Sequence, residues 1–324
     1  MHRWTAVTEV PAGFGPSVVT IGNFDGVHRG HASVLSRMVA GARAAGLQAV
    51  AVTFTPHPAQ VHRPESAPEL LTGDADRLEL LEATGLDAVL MLEYTLDFAR
   101  QTPEEFVRRY LVDALGARTV VVGRDVRFGR RNSGDIATMV DLGRSYGFTV
   151  EVVEDVAPES SHRRWSSTWV RELLAAGDAP GAARVLGRPH RMRGVVVHGD
   201  ARGRSLGFPT ANLSRDATGM VPADGVYAGW LRPTDGPGSA DAGPHGWPAA
   251  ISVGTNPTFD GATRRVEAYV LDRTDLDLYD REVVVEFVSQ LRPTQRFDSV
   301  EELVEQMRRD VARVHEALAG DLVG

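Results

Sequence analysis

The chain has 324 residues, enough for two ordinary domains, and its 43% hydrophobic and 24% charged residues are those of a globular protein. A net charge of −8 with no long run of basic residues speaks against a nucleic-acid partner but leaves room for small phosphorylated ligands, for which single arginines suffice. The absence of cysteine excludes disulfides, thiolate catalysis and Cys-ligated metals, and because all 35 basic residues are arginine, a Walker lysine, a protein-kinase strand lysine and Schiff-base chemistry are excluded as well.

The opening MHRWTAVTEVPAGFG has no apolar core of signal-peptide length, and no later stretch approaches the ~20 apolar residues of a membrane span, so the cytoplasm is the expected location. Val18–Ile21, Ala49–Phe54, Ala88–Leu92, Thr119–Val122 and Thr149–Val153 read as short apolar strands. Between the first two, His31–Ala45 reads as a helix with Val34, Leu35, Met38, Val39 and Ala42 on one face. This alternation predicts a parallel sheet with helical crossovers. Residues 175–190, partly helical, hold the crossing to a second domain, which places the domains at 1–186 and 187–324. Beyond it, GVVVHG, GVYAGWL, AAISVG, RVEAYVLD and EVVVEFV are strands separated by turns such as PADG and TNPTFDG, the pattern of an antiparallel barrel or sandwich. Residues 232–248 read as a long hairpin loop. A last amphipathic helix is expected from an N-cap at Asp298, with Glu301 three residues on, through Leu318.

Three joints carry chemistry. TIGNFDGVHRGH, Thr20–His31, puts a Gly-rich turn between strand and helix, where backbone N–H groups and a helix N-terminus receive an anion. His28 and His31, three apart, can both donate to the same phosphate as its charge grows. The same spacing also suits a helix cap, solvated side chains or a pair of zinc ligands. TFTPHP brings a third histidine, His57, to the end of the next strand. RWSSTWVREL offers Ser166, Ser167 and Thr168 at a second helix start with Arg171 a turn later, a set suited to terminal phosphates or to simple capping.

GNFDGVHRGH, TFTPHP, VGRDVRFG and WSSTWVR, followed by GRSLGFPTAN, DGVYAGW, SVGTNPTF and VEAYVLD, together resemble the bacterial bifunctional riboflavin kinase/FAD synthetases, in the family's order and over about residues 15 to 315. The resemblance implies an α/β Rossmann-like nucleotidyltransferase domain, then a β-barrel riboflavin kinase domain with a C-terminal helix. The implied reactions are Mg²⁺-dependent: ATP phosphorylates riboflavin to FMN in the second domain, and the first joins FMN to AMP, giving FAD and pyrophosphate.

In the adenylyltransferase the resemblance gives His28 and His31 to the α-phosphate, Gly22, Asn23, Phe24 and Asp25 to the nucleotide turn, and Ser166, Ser167, Thr168 and Arg171 to the leaving phosphates. It turns His57, Pro58, Asp125, Arg127 and Phe128 toward the flavin. Val126 departs from the family, which has phenylalanine there. In the kinase it makes Glu267 the general base, sets Thr210 and Asn212 on Mg²⁺ and ATP, makes the loop around Gly203, Arg204 and Gly207 an ATP flap, and gives Arg292 to the flavin. The plainer alternatives are a solvated strand glutamate at 267 and a polar β-turn at 210–212. Two rival functions stand beside this one: adenylyl transfer to another phosphorylated acceptor, and a flavin-binding sensor without turnover. Retention of His28, His31, Arg171 and Glu267 together argues against the sensor, which needs none of them for chemistry.

Overall fold

The computed structural model describes all residues except 155–162, 200–202, 204–205, 236–244, 259–260, 274 and 320–324, with backbone alone at 256–258 and 261–263. By contacts the chain divides into two compact units, one of Met1–Pro68 with Asp74–Ser166, the other of Glu69–Gly73 with Ser167–Gly324.

The first unit is a six-stranded parallel sheet of β1 (His2–Trp4), β2 (Ser17–Ile21), β3 (Gln48–Thr55), β4 (Ala88–Glu93), β5 (Ala117–Gly123) and β6 (Thr149–Val153), in the order β1-β4-β3-β2-β5-β6. Its central strands read as continuous apolar runs because both faces are covered. Val19, Val50, Val52, Leu90, Val120 and Val122 pack on one face with Phe106, Leu111 and Met139, from α4 (Pro103–Phe106), its π-helical continuation Val107–Ala114, and α5 (Ile136–Tyr146). Val18, Ala49, Ala51, Val89 and Val121 pack on the other with Leu35, Met38 and Val39 of α1 (Arg29–Ala45) and Leu81 of α3 (Asp74–Glu82). A short helix α2 (Pro58–His62) follows β3. β1 is an addition to the sequence-based expectation. Three residues carry no readable period, and β1 exists through its pairing with β4.

The strand order fixes where ligands can enter. From β2 the chain builds β3 and β4 on one side and β5 and β6 on the other, so β2 and β5 border the crevice where the winding reverses, and ligands of such sheets bind at the carboxyl ends of strands at that point.

The second unit begins with α6 (Ser167–Ala175) and α7 (Ala179–Leu186), then closes an antiparallel barrel in the order β10-β11-β8-β7-β12-β9. The strands are β7 (His190–Val197), β8 (Ala211–Leu213), β9 (Gly225–Pro233), β10 (Trp247–Thr258), β11 (Gly261–Val270) and β12 (Glu282–Arg292). Met192, Tyr227, Ile251, Val266, Ala268, Val270, Val283, Val285 and Phe287 fill the interior. Helix α8 (Val300–Leu318) lays Val314 and Leu318 against Trp230, Leu291 and Leu271 outside it.

Three expectations need correcting. The N-cap of α8 is Ser299, whose hydroxyl accepts from Glu302 N at 3.1 Å, one residue after Asp298. Asn212 lies in strand β8, paired with β7 and β11, and not in a polar turn. Thr255–Thr258 of TNPTFDG continue β10 up to its hairpin with β11, because closure of the barrel supplies ladder partners that local composition does not announce. The expected 232–248 loop joins β9 to β10, and its middle lies outside the described residues.

Candidate active sites

In the first unit the joint after β2 is built as an anion-receiving turn. His28 caps α1, its Nδ1 accepting from His31 N at 3.4 Å, which leaves Nε2 as its N–H donor. The two imidazoles stack with centroids 3.7 Å apart, and Phe24 meets His31 edge-on at 5.3 Å. His31 Nδ1 is buried without a hydrogen-bond partner. Burial, with His28 beside it, pushes the His31 pKa well below the usual imidazole value, so this ring is neutral near pH 7.

The glycines here answer to close approach. A Cβ on Gly22 would lie 2.9 Å from the Phe24 ring, and one on Gly30 would lie 3.1 Å from His28 Nδ1 and 3.2 Å from Trp165 Cβ. Between them Phe24 and Val27 hold φ of 50° and 38°, a left-handed conformation that bulky and β-branched residues rarely adopt, and both side chains are buried. Asp25 is buried in the same turn.

The flavin-side residues leave the carboxyl ends of β3 and β5. His57 caps α2, accepting from Ala59 N at 3.1 Å, and Gln60 completes a capping box. Pro58 lines a cleft of about 820 Å³ together with His62, Arg63, Tyr94, Arg130 and Arg131. His62 Nε2 and Tyr94 OH are 3.0 Å apart at its wall, and Tyr94, Phe54, Phe98 and Phe106 form an aromatic cluster beneath. Asp125 and Arg127 are exposed, paired with Arg164 at 3.4 Å and Asp135 at 3.9 Å. Phe128 is buried against Phe106, and Val126 packs into the same core. Ser166 closes the first unit, while Ser167 and Thr168 open α6 in the second, where Arg171 Nε donates to Glu69 O at 2.7 Å. The expected helix start is therefore present.

In the barrel, Ala211 and Ala268 face one another across β8 and β11 toward the interior, so Asn212 and Glu267, the next register pair, face outward. Thr210 Oγ1 donates to Glu267 Oε2 at 3.4 Å, and Asn212 Nδ2 donates to Thr210 O at 3.2 Å and Oγ1 at 3.3 Å. A Cβ on Gly199 would lie 2.5 Å from Asn212 Oδ1. A cavity of about 340 Å³ opens here, lined by Gly199, Gly207, Thr210 and Asn212 at its polar end and by Val196, Ala268 and Val270 inside. Gly207, at φ 86°, sits in a turn closed by Phe208 N donating to Gly203 O at 2.8 Å. Arg204 lies outside the described residues. Arg292 ends β12 with its guanidinium on Asp310, Nε to Oδ1 at 3.0 Å and Nη2 to Oδ2 at 2.8 Å, which ties the barrel to α8.

Sequence reasoning missed Arg77. It sits in α3 with no motif around it, yet its side chain is buried and donates to Asn23 O, Phe54 O and Asp74 Oδ1 at 3.0, 2.8 and 2.7 Å. Among the described residues no cluster of three or more histidine or carboxylate side chains suits a metal ion, and no helix is long and apolar enough to cross a membrane.

Comparison with known proteins covers both units. Residues 12–169 match the FAD synthetase family and residues 186–318 the riboflavin kinase family. A bifunctional riboflavin kinase/FMN adenylyltransferase from Pseudomonas fluorescens is 40% identical over 91% of each chain, that of Escherichia coli K12 36% identical over 90% of each, and that of Bacillus subtilis 30% identical over 91% of this chain and 90% of its own. A crystal structure from Streptococcus pneumoniae, described as a macrolide-efflux protein, matches with a TM-score of 0.80 at 30% identity, covering 95% of this chain and 96% of its own.

Proposed function

The chain belongs to the family of bifunctional riboflavin kinase/FMN adenylyltransferases and has both activities, and from that premise we propose which of its residues perform each reaction. The kinase makes FMN from riboflavin and ATP, and the adenylyltransferase makes FAD from FMN and a second ATP. The reading assigns them to residues 187–324 and 1–186 respectively, in the cytoplasm.

In adenylyl transfer an FMN phosphate oxygen attacks the α-phosphorus of ATP, the bond to the β-phosphate oxygen breaks, and pyrophosphate leaves. The nucleophile is already anionic near neutral pH, so alignment and charge stabilisation are the main requirements and no strong base is needed. His28 and His31 stabilise the growing charge on the α-phosphate. The observation that carries this assignment is the buried, unpartnered His31 Nδ1 on a stacked pair at a helix N-terminus: an orphaned polar atom in such a place has a phosphate oxygen as its natural partner. The turn Gly22–Asp25 receives the nucleotide, Ser166, Ser167, Thr168 and Arg171 hold the leaving phosphates, and the cleft beside His57 and Pro58 takes the flavin, with Asp125 and Arg127 toward its phosphate. Phe128, buried in the core, supports that wall from behind.

The kinase must activate an alcohol, so it needs a base. Glu267 takes the ribityl proton, and its hydrogen bond with Thr210 brings that carboxylate to the polar end of the nucleotide cavity. Thr210 Oγ1, Asn212 Oδ1 and the carboxylate are an all-oxygen set, which fits Mg²⁺, an ion that prefers few protein ligands and completes its shell with water and phosphates. When bound, Mg²⁺ neutralises charge on the transferring phosphates. Gly203, Arg204 and Gly207 form the flap over ATP. Arg292, held on Asp310 and with Nη1 also donating to Pro293 O at 3.3 Å, contributes to the flavin site at the barrel mouth.

The test is one product separation on two variants supplied with riboflavin, Mg²⁺ and ATP. His31→Ala should stop at FMN. Glu267→Gln should make almost no FMN from riboflavin, yet convert added FMN to FAD at the unsubstituted rate. Equal loss of both reactions in either variant overturns the division of labour.

A further inference from the structure

We propose that Arg77 is a positioning residue for adenylyl transfer, holding the Asn23–Phe24 turn so that the His31 imidazole is aligned for the α-phosphate. The proposal rests on the assignment of His31 made above.

Arg77 is 2% exposed, and its fork spans three elements: Nη1 donates to Asn23 O after β2, and Nη2 donates to Phe54 O in β3 and to Asp74 Oδ1 in its own helix. Thr53 Oγ1 donates to the same Asn23 carbonyl at 3.2 Å. The peptide bond that follows this doubly held carbonyl leads into Phe24, at φ 50°. A bulky residue in that region is strained and persists only where its surroundings over-determine it. Here the carbonyl is held by two donors, while the Phe24 ring packs close to Gly22 and meets His31 in an edge contact. The line of contact runs Arg77, Asn23, Phe24, His31.

The charge on Arg77 fits the same role. Burial lowers its pKa, whereas Asp74 and the buried Asp25 of the turn hold the proton on, so the guanidinium remains a cation. A lysine could keep that charge but not the planar fork that reaches two carbonyls and a carboxylate together.

The experiment is a double-mutant cycle in the full-length protein, with FMN adenylylation and riboflavin phosphorylation both measured. Arg77→Met should lower kcat for FAD formation by about 10- to 100-fold, the scale of a small misplacement of a reacting group, while KM for ATP and FMN moves less than about threefold and kinase turnover stays unchanged. In the His31→Ala background the same substitution should cost no more than about twofold, because a residue acting through another has nothing left to align. Arg77→Lys should be intermediate, and it takes the place of Arg77→Met in the cycle if that variant fails to fold. The same fold-loss in both backgrounds, or full turnover in Arg77→Met, overturns the proposal. If His31→Ala alone keeps wild-type FAD formation, the assignment of His31 itself is what fails.

Discussion

His28 and His31 lie face to face, their ring centroids 3.7 Å apart and their planes 22° from parallel. Rings this close share one environment, so a charge on one opposes a charge on the other, and burial with His28 beside it holds the His31 pKa well below the usual imidazole value. His28 also carries a second duty as the cap of α1.

The two duties of His28 separate by substitution. His28→Asn retains a side chain suited to capping but removes the imidazole, so its thermal midpoint should stay near that of the parent while FAD formation falls by about 10²- to 10³-fold. His28→Ala should lose the same turnover and, in addition, about 1 kcal/mol of stability. Thermal melts alongside FAD synthesis check both. Full activity in His28→Asn would leave capping as the only role.

Glu267→Gln is nearly isosteric and can still accept from Thr210, but it cannot take the ribityl proton. Kinase turnover should fall by about 10²- to 10⁴-fold with little change in riboflavin or ATP affinity. Steady-state kinetics against each substrate read this directly, and a wild-type maximal rate would return the glutamate to an ordinary strand position.

Acid should weaken the second unit through His190. The ring is buried on Phe287, with Nε2 2.7 Å from Met220 O, and burial lowers its pKa from 6.5 to about 4. The unfolded chain therefore takes up a proton below pH 6.5 that the folded chain refuses, so the stability from the neutral ring is complete above 6.5 and is lost as pH falls toward 4. The loss amounts to roughly 3 kcal/mol. Urea unfolding at pH 7.5 and pH 4.5 should show this drop in the parent and a smaller one in His190→Gln. Identical drops would mean that His190 is not responsible.

Fragments test where the kinase begins. A chain starting at Gly187 keeps all six barrel strands and α8 but loses α7, whose Ala179, Ala182, Val185 and Leu186 are buried. At about 1.5–3 kcal/mol for each large side chain, it should be several kcal/mol less stable than a chain starting at Ser167. Both should phosphorylate riboflavin and make no FAD. Kinase assays and melting curves on the pair decide it, and a folded but inactive Ser167 fragment would show that the activity needs residues before Ser167, among them Glu69–Gly73 of the second unit.

What could be read in the sequence was local. β2 and α1 are legible because an apolar run, a Gly-rich turn and a 3.6-residue period succeed one another without conflict, and RVEAYVLD reads as the strand that becomes β11. β1 and β8, of three residues each, owe their existence to partners far along the chain. Ser299 and Asp298 are both good caps, and only geometry chooses between them. Arg77 is the deepest omission. An arginine in a helix reads as surface, and nothing nearby in sequence reveals that two strand-end carbonyls converge on it.

The short segment Glu69–Gly73 belongs to the second unit although the first unit's chain flanks it on both sides. Two of its attachments are to residues that come much later: Glu69 O accepts from Arg171, and Gly73 packs so tightly on Thr218 that a Cβ would collide with the hydroxyl. On the ribosome these five residues emerge well before Arg171 and Thr218, and at about 5–20 residues per second they wait several seconds for α6 and longer for Thr218. The helix that carries Arg77 starts at the very next residue, Asp74. Order of synthesis, as well as order of strands, therefore decides when the lead into α3 acquires these two late contacts.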